Sequence, residues 1–423
     1  MYVWRSILTI MRKSYILICF LILSKIITIG QTANKPDSIK KFGITFSGFV
    51  KAEAAFDTRQ VINSREALLL FYPDNQLLDK NGKDINAHPS LNQYAMATRL
   101  IGTITGPGAF GAKTMAYIES DFTGPSAIEN NAFRMRHAYI KVNWAKSELL
   151  MGQWWHPLNV PEMIPNVNAM NIGAPFHPVS RQPQVRLTRN FDNFRMVAAA
   201  VSDRDYSSIG PLGATSEYLR NSVIPNMHLQ LQYKKEDKFF CGIGGDYRRL
   251  TPRLITDSSL KANESLDCWV ATAFAKVKTE KLTIKLQSVF GQNLYEHLMM
   301  GGIAVQKIDT ATGSMTYTTL DQLTGWLDIS TNKKKFNAGL FLGYAKNLGS
   351  LHNIWGTTYA RGNDIAYVYR ISPRLAWTSG NLSFTSEFEY TAAAYGTPDY
   401  LGDVHNTKEV YNFRVLVAAI YTF

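Results

Sequence analysis

From residue 42 onward the dominant pattern in the chain is a change of polarity at every second residue, the mark of extended strands with two unlike faces. Phe42, Ile44, Phe46, Gly48, Val50, Ala52, Ala54 and Phe56 share one parity, while Thr45, Ser47, Lys51, Glu53 and Asp57 hold the other, with Phe49 the large exception. The last run repeats this with Tyr411, Phe413, Val415, Val417, Ala419, Tyr421 and Phe423 against Asn412, Arg414 and Thr422. Between them Leu282, Ile284, Leu286 and Phe290 oppose Thr283, Lys285 and Gln287. Such runs reach about ten residues, the length of a tilted strand that crosses a bilayer.

The connections alternate as well. Short links at 106–108, 145–146, 192–193, 236–237, 280–281, 331–332 and 380–381 are interleaved with long ones near 57–91, 123–131, 156–183, 204–223, 250–266, 295–318, 348–364 and 396–408. Short turns at one end and long loops at the other predict a transmembrane antiparallel β-barrel, with the turns periplasmic and the loops extracellular. The segments between them number about sixteen, a size that leaves an aqueous lumen. The strand over 319–330 alternates poorly and is placed there because the barrel must close. A secreted all-β protein with a dry core would also alternate, but its strands would more often be about five or six residues. Nothing in such a protein asks the chain to stop on an aromatic, as it does here at Tyr421 and Phe423, the residues read as the C-terminal signal for the barrel-insertion machinery.

Composition agrees and excludes other classes. Of 423 residues 46% are apolar and 12% aromatic, so the chain is not disordered. Past residue 30 no run of about 18 apolar residues offers a membrane helix. The net charge of +12 comes from Lys and Arg spread singly, apart from Lys333, Lys334 and Lys335, which argues against nucleic acid as a partner. Residues 1–30 read as a secretory signal peptide, with Arg12 and Lys13 before the apolar run 16–23 and small residues near Gly30; Met11 is a plausible start. Residues 31–41 are then a short periplasmic segment and 42–423 the outer-membrane barrel.

If the apolar parity faces lipid, the other lines the channel and its charges set selectivity. The inward set is Gln93, Ala95, Ala97, Arg99 and Thr103 on 92–105, and Lys113, Tyr117, Glu119 and Asp121 on 109–122. On 132–144 it is Tyr139, Lys141 and Asn143; further on it includes Arg186, Arg370, Arg374 and Arg414, beside Glu387 and Glu389. This Arg and Lys lining favours small anionic solutes; the alternative is that Arg370, Arg374, Arg414, Glu387 and Glu389 form a salt-bridge ladder that holds the wall. Arg134 and Arg136 fall on the lipid parity, so they lie above the apolar band, follow a bulge or meet another subunit. The segment 156–183, based on Trp154 and Trp155 and carrying Pro157, Pro161, Pro165 and Phe176, is too apolar and proline-fixed for a free loop. It is expected to fold into the lumen as a constriction loop and bring Arg181 toward the axis; an outer lid or a latch onto a neighbouring subunit are the alternatives.

The stretches RMRHAYIK (134–141), GQWW (152–155), GAPF (173–176) and SRQPQVR (180–186) resemble the DcaP-like outer-membrane porins of Gram-negative bacteria. YRISPR (369–374) and EYTAAAY (389–395), leading to Phe423, fit the same pattern. The resemblance implies a homotrimer of sixteen-stranded barrels in outer-membrane lipid, passing small anionic solutes such as dicarboxylates.

No cofactor, metal or catalytic residue is expected. Six of eight histidines fall in predicted loops, and His137 and His228 in strands have no nucleophile motif beside them. Cys241 and Cys268 lie on consecutive predicted strands offset by eight residues, about 26 Å at the strand rise, too far for a disulfide. Two other readings stay open: a barrel whose long loops bind a partner or surface, and an outer-membrane hydrolase. Conductance distinguishes the first from a porin. A Ser and a His within hydrogen-bonding distance on the rim would mark the second.

Overall fold

The computed structural model describes residues 42–126 and 128–423; the expected signal peptide, the start at Met11 and the 31–41 segment lie outside them. Sixteen wall strands close into one antiparallel barrel. They are β1 (Gly43–Asp57), β2 in two pieces (Ser90–Tyr94 and Arg99–Thr105), β3 (Lys113–Asp121) and β4 (Arg134–Asn143). Next come β5 (Ser147–Trp155), β6 (Arg181–Phe191), β7 (Phe194–Val201) and β8 (Asn226–Lys235). Then follow β9 (Phe239–Leu250), β10 (Leu266–Lys278), β11 (Leu282–Gln292) and β12 (Met315–Thr331). The last four are β13 (Phe336–Asn347), β14 (Ile365–Ser379), β15 (Leu382–Pro398) and β16 (Val404–Thr422). Each pairs with its successor, and β16 returns to β1 with Phe49 opposite Thr422 and Asp57 opposite Arg414. Phe423 completes the seam by exchanging backbone hydrogen bonds with Gly48 at 3.0 and 3.1 Å. No helix among the described residues is long and apolar enough to cross a membrane.

The parity read from the sequence holds along most of the wall. Ile44, Phe46, Val50 and Phe56 of β1 are exposed on the outside, whereas Lys51, Glu53 and Asp57 are buried within. On β11 Leu286 and Phe290 are exposed while Lys285 and Gln287 are buried. The strand expected over 319–330 extends from Met315 to Thr331 and pairs with β11 and β13.

Parity fails at two one-residue insertions. Glu53 pairs with Tyr94 but Phe49 with Arg99, so β2 carries one residue more than β1 between these pairs. The extra residue sits in the break at 95–98, closed by a hydrogen bond from the Thr98 amide to Ala95 O. Parity counted back from Arg99 is therefore reversed, and Gln93, expected in the lumen, is exposed beside the outward Leu91. The second insertion lies opposite Glu119 and Ser120, which face His137 and Met135. Met135 points outward and Arg134, Arg136 and His137 are buried. Of the three explanations for Arg134 and Arg136 on the lipid parity, the bulge is the one observed.

Two loop boundaries also differ from expectation. The loop expected over 396–408 shrinks to 399–403, because β15 and β16 continue past the other strands. The segment expected over 156–183 ends at 180, since Arg181 already pairs with Trp155 in the wall. Cys241 faces Ala275 and Cys268 faces Arg248, and both thiols are free.

Candidate functional site

The interior is where charge and aromatic rings converge, and two inward-folded segments divide it. Residues 156–180 leave β5 and are gripped by wall side chains through their main chain. Lys285 Nζ donates to Ile164 O at 2.6 Å, Gln287 Nε2 to Leu158 O at 3.1 Å and Lys51 Nζ to Asn168 O at 2.9 Å. Thr324 Oγ1 donates to Phe176 O at 3.1 Å, and Glu387 accepts from the amides of Asn168 and Ala169 at 2.5 and 3.0 Å. Pro161 opens a single 3-10 turn, and Pro157 and Pro165 are buried. Phe176 packs on Phe341 and against Gly343, where a Cβ would come within 2.4 Å of its ring. His177 hydrogen-bonds Gln287 at 3.0 Å, and burial holds its pKa down to about 3, so it stays a neutral part of this clasp.

The second segment was not anticipated. Residues 65–73 also turn inward, and Leu68, Leu69, Leu70, Phe71 and Tyr72 are all buried. Five consecutive apolar residues inside an otherwise polar loop were the signal for it. Arg370 links the two segments. Its Nη1 donates to Ala174 O at 3.0 Å, its Nη2 to Leu70 O and Phe71 O at 3.2 and 2.9 Å, and its guanidinium lies 5.5 Å from the centre of the Phe176 ring.

The charged side chains separate into three groups. On β14–β16 and β1, Arg370 meets Glu389 at 3.3 Å, Arg374 meets Asp328 of β12 at 2.8 Å, and Arg414 holds Asp57 through two hydrogen bonds of 2.9 and 2.7 Å. All six are buried, so these three expected pore cations are neutralised in the wall. On β3–β6, Asp121 accepts from Arg134 and Arg136, Glu119 from Arg136, and Asp205 pairs with Arg181 at 2.8 Å. Trp155 lies under this cluster, 5.1 Å from Arg181 and 5.9 Å from Arg136. Arg181 is thus a wall residue with its own counter-ion and does not reach the axis on the inward segment.

The third group differs. Most inward residues of β8–β16 are buried under the two segments, whereas Arg99, Lys113, Tyr117, Tyr139, Lys141 and Trp154 on β2–β5 keep part of their surface free. Tyr117 stacks on Tyr139 at 5.1 Å, and Tyr139 lies 5.5 Å from Trp154. Lys141 Nζ and the Arg186 guanidinium each sit 4.7 Å from the Trp154 ring. Arg99 pairs with Glu119 at 3.2 Å and Lys141 with Glu148 at 3.1 Å. Arg186 donates instead to Gln184 Oε1 and Trp155 O, at 2.9 and 2.8 Å. Neither Arg186 nor Lys113 has a carboxylate within 4.0 Å among the described residues.

One contact bears on the hydrolase alternative. Ser180 Oγ lies 3.0 Å from His297 Nδ1, and His297 Nε2 lies 3.3 Å from Glu296 Oε1. Ser180 and His297 are 0% and 1% exposed, so the pair is sealed from solvent and from any substrate. Glu296 is tied up by Arg248.

A closed sixteen-stranded wall with short turns at one end, long loops at the other and inward-folded segments is the architecture of the outer-membrane porins. Among solved structures the chain is similar to the outer membrane channel DcaP of Acinetobacter baumannii, with a TM-score of 0.67 and 16% identity over 90% of this chain and 98% of that one. It is also similar to an anion-selective porin from Comamonas acidovorans, with a TM-score of 0.54 and 10% identity over 90% of this chain and all of the other. OmpT, an outer-membrane protein of Vibrio cholerae, follows at 0.52 and 9% identity over 92% of this chain and all of the other. These likenesses are of fold. No protein-family model and no curated protein sequence matches the chain.

Proposed function

We propose that the protein is a non-enzymatic porin of a Gram-negative outer membrane through which small anionic solutes diffuse along the β2–β6 side of the lumen. The observation that carries this reading is Arg186, a buried guanidinium with no carboxylate within 4.0 Å, set beside Lys141 and the half-free ring of Trp154. A cation without a direct ion pair, on a partly open aromatic track, attracts anions, while the paired arginines of β14–β16 hold the wall. Residues 156–180 act as the constriction. Export through the 1–30 signal, insertion signalled by Tyr421 and Phe423, and assembly as a homotrimer complete the reading; one of the V. cholerae OmpT structures is described as a trimer form. Solutes as small as dicarboxylates suit two cations flanking an aromatic face.

In planar bilayers the protein should conduct, with a reversal potential under a salt gradient that reports anion preference. One charge about 5 Å from a solute in water-like surroundings attracts an anion and repels a cation by about 0.8 kcal/mol each, so Arg186→Ala should lower the anion-to-cation permeability ratio about sixteenfold. An unchanged ratio would remove Arg186 from the pathway, and a silent barrel would overturn the porin reading.

The membrane itself is tested from outside the wall. Leu286 is exposed on the outer face near the middle of β11. Leu286→Arg should cost about 2–4 kcal/mol of folding free energy in lipid, against little for a polar residue near the turns. An equal, small effect at both places would argue against a lipid-facing surface.

A further inference from the structure

A group of buried polar atoms without hydrogen bonds lies where three distant parts of the chain meet. His156 is the first residue after β5, Asp246 is an inward residue of β9, and His297 ends the 3-10 turn Tyr295–His297. One side-chain ligand atom from each lies within 4.8 Å of the other two, and all three residues are buried. Asp246 Oδ2 and His297 Nε2 have no hydrogen-bond partner, and neither does His228 Nε2 beside them.

We propose that His156, Asp246 and His297 form a binding site for one divalent transition-metal ion of the zinc type. Two imidazoles and a carboxylate are the donors such an ion selects, in preference to the all-oxygen sets of calcium or magnesium. Metal bonds of about 2.0–2.2 Å in a tetrahedron place ligand atoms about 3.4 Å apart, so the three donors need to close by about 1 Å. The surroundings orient them. Asp246 Oδ1 accepts from His228 Nδ1 at 2.5 Å, which holds the carboxylate from behind and leaves Oδ2 facing the cluster. Ser180 Oγ lies 3.0 Å from His297 Nδ1 and would accept a hydrogen bond from the Nδ1–H tautomer, the form that offers the Nε2 lone pair to a metal. His156 Nε2 lies 3.9 Å from Asp246 Oδ2 and 3.0 Å from Asn226 Nδ2. Coordination through Nε2 puts the ring proton on Nδ1, at the expense of the 3.3 Å contact from the Leu158 amide and the 3.0 Å contact from Asn226. Arg248 is paired with Glu296, and Asp246 supplies the negative charge of the donor set. Three protein ligands leave a fourth position for solvent. An ion here would staple the root of the 156–180 segment to the wall and to the loop after β11.

The test uses the full barrel in detergent, stripped with a chelator and titrated with Co2+ as a visible-absorption probe, then with Zn2+ in competition. The expected result is one Co2+ per chain with the absorption of a four- or five-coordinate N/O site, displaced by Zn2+. Asp246→Asn and His297→Gln should abolish it, and His228→Gln, behind the carboxylate, should weaken it by about 10–100-fold. His352→Gln, at an exposed histidine, should leave it unchanged. Wild-type protein that binds no Co2+ overturns the proposal without reference to any variant, as does binding that survives Asp246→Asn or disappears with His352→Gln. Folding of each variant is read from heat-modifiable migration. Bound metal is scored independently of conductance, so the result stands whichever way the permeation experiment falls.

Discussion

Arg370→Ala is expected to raise single-channel conductance and to open residues 65–73 and the adjoining part of 156–180 to protease, because one guanidinium ties the two segments together. Three of its hydrogen bonds end on main-chain carbonyls of Leu70, Phe71 and Ala174, and its ion pair with Glu389 is buried. Removing it releases those carbonyls and leaves Glu389 without that counter-ion, a change that typically costs about 3–5 kcal/mol. The wall has no such dependence on Arg370, since β14 and β15 are joined by their backbone ladder. The barrel should therefore survive with a wider lumen. Unchanged conductance together with protease-resistant segments would show that Arg370 is only a wall residue.

The second large effect is at the seam. Asp57 and Arg414 face each other across β1 and β16, both at most 2% exposed, with Asn412 Nδ2 donating a further hydrogen bond of 2.7 Å to Asp57. Asp57→Ala strands the guanidinium in the interior and should destabilise the barrel by about 3–5 kcal/mol, seen as a lower temperature for loss of the compact band on gels. The double variant Asp57→Ala/Arg414→Ala removes both charges and should be more stable than Asp57→Ala alone. Additive losses would mean that the two side chains do not act as a pair.

Much of the architecture was legible because a barrel wall is a periodic object. Once Ile44, Phe46 and Val50 are set apart from Lys51, Glu53 and Asp57, the inside and the outside of β1 follow, and so do those of β11 and β16. The reading broke at Gln93 and at Arg134 and Arg136, where one inserted residue reverses every parity beyond it and leaves no trace in composition. The candidate site was legible in its cations and illegible in their partners. Arg414 and Asp57 are 357 residues apart and meet through register, as do Arg374 and Asp328. Whether an arginine is a free attractor or half of a buried pair depends on that register, which separates Arg186 from Arg370, Arg374 and Arg414. Leu68 to Tyr72 mark the opposite case, since their apolar run carried the information that the loop goes inside. His156, Asp246 and His297 were out of reach, because nothing in their spacing brings the end of one strand, the middle of another and a distant loop together.

The hold on residues 156–180 has a consequence for how such a barrel diversifies. Lys51, Lys285, Gln287, Thr324, Arg370 and Glu387 touch carbonyls and amides, the parts of a peptide that every sequence shares. The wall holds the path of the segment through these groups, and a few side chains, Phe176 on Phe341 and His177 on Gln287 among them, fix its register. A position outside those contacts, such as the exposed Pro161, can therefore change without unfastening the segment, which makes it in part an exchangeable cartridge in a constant housing.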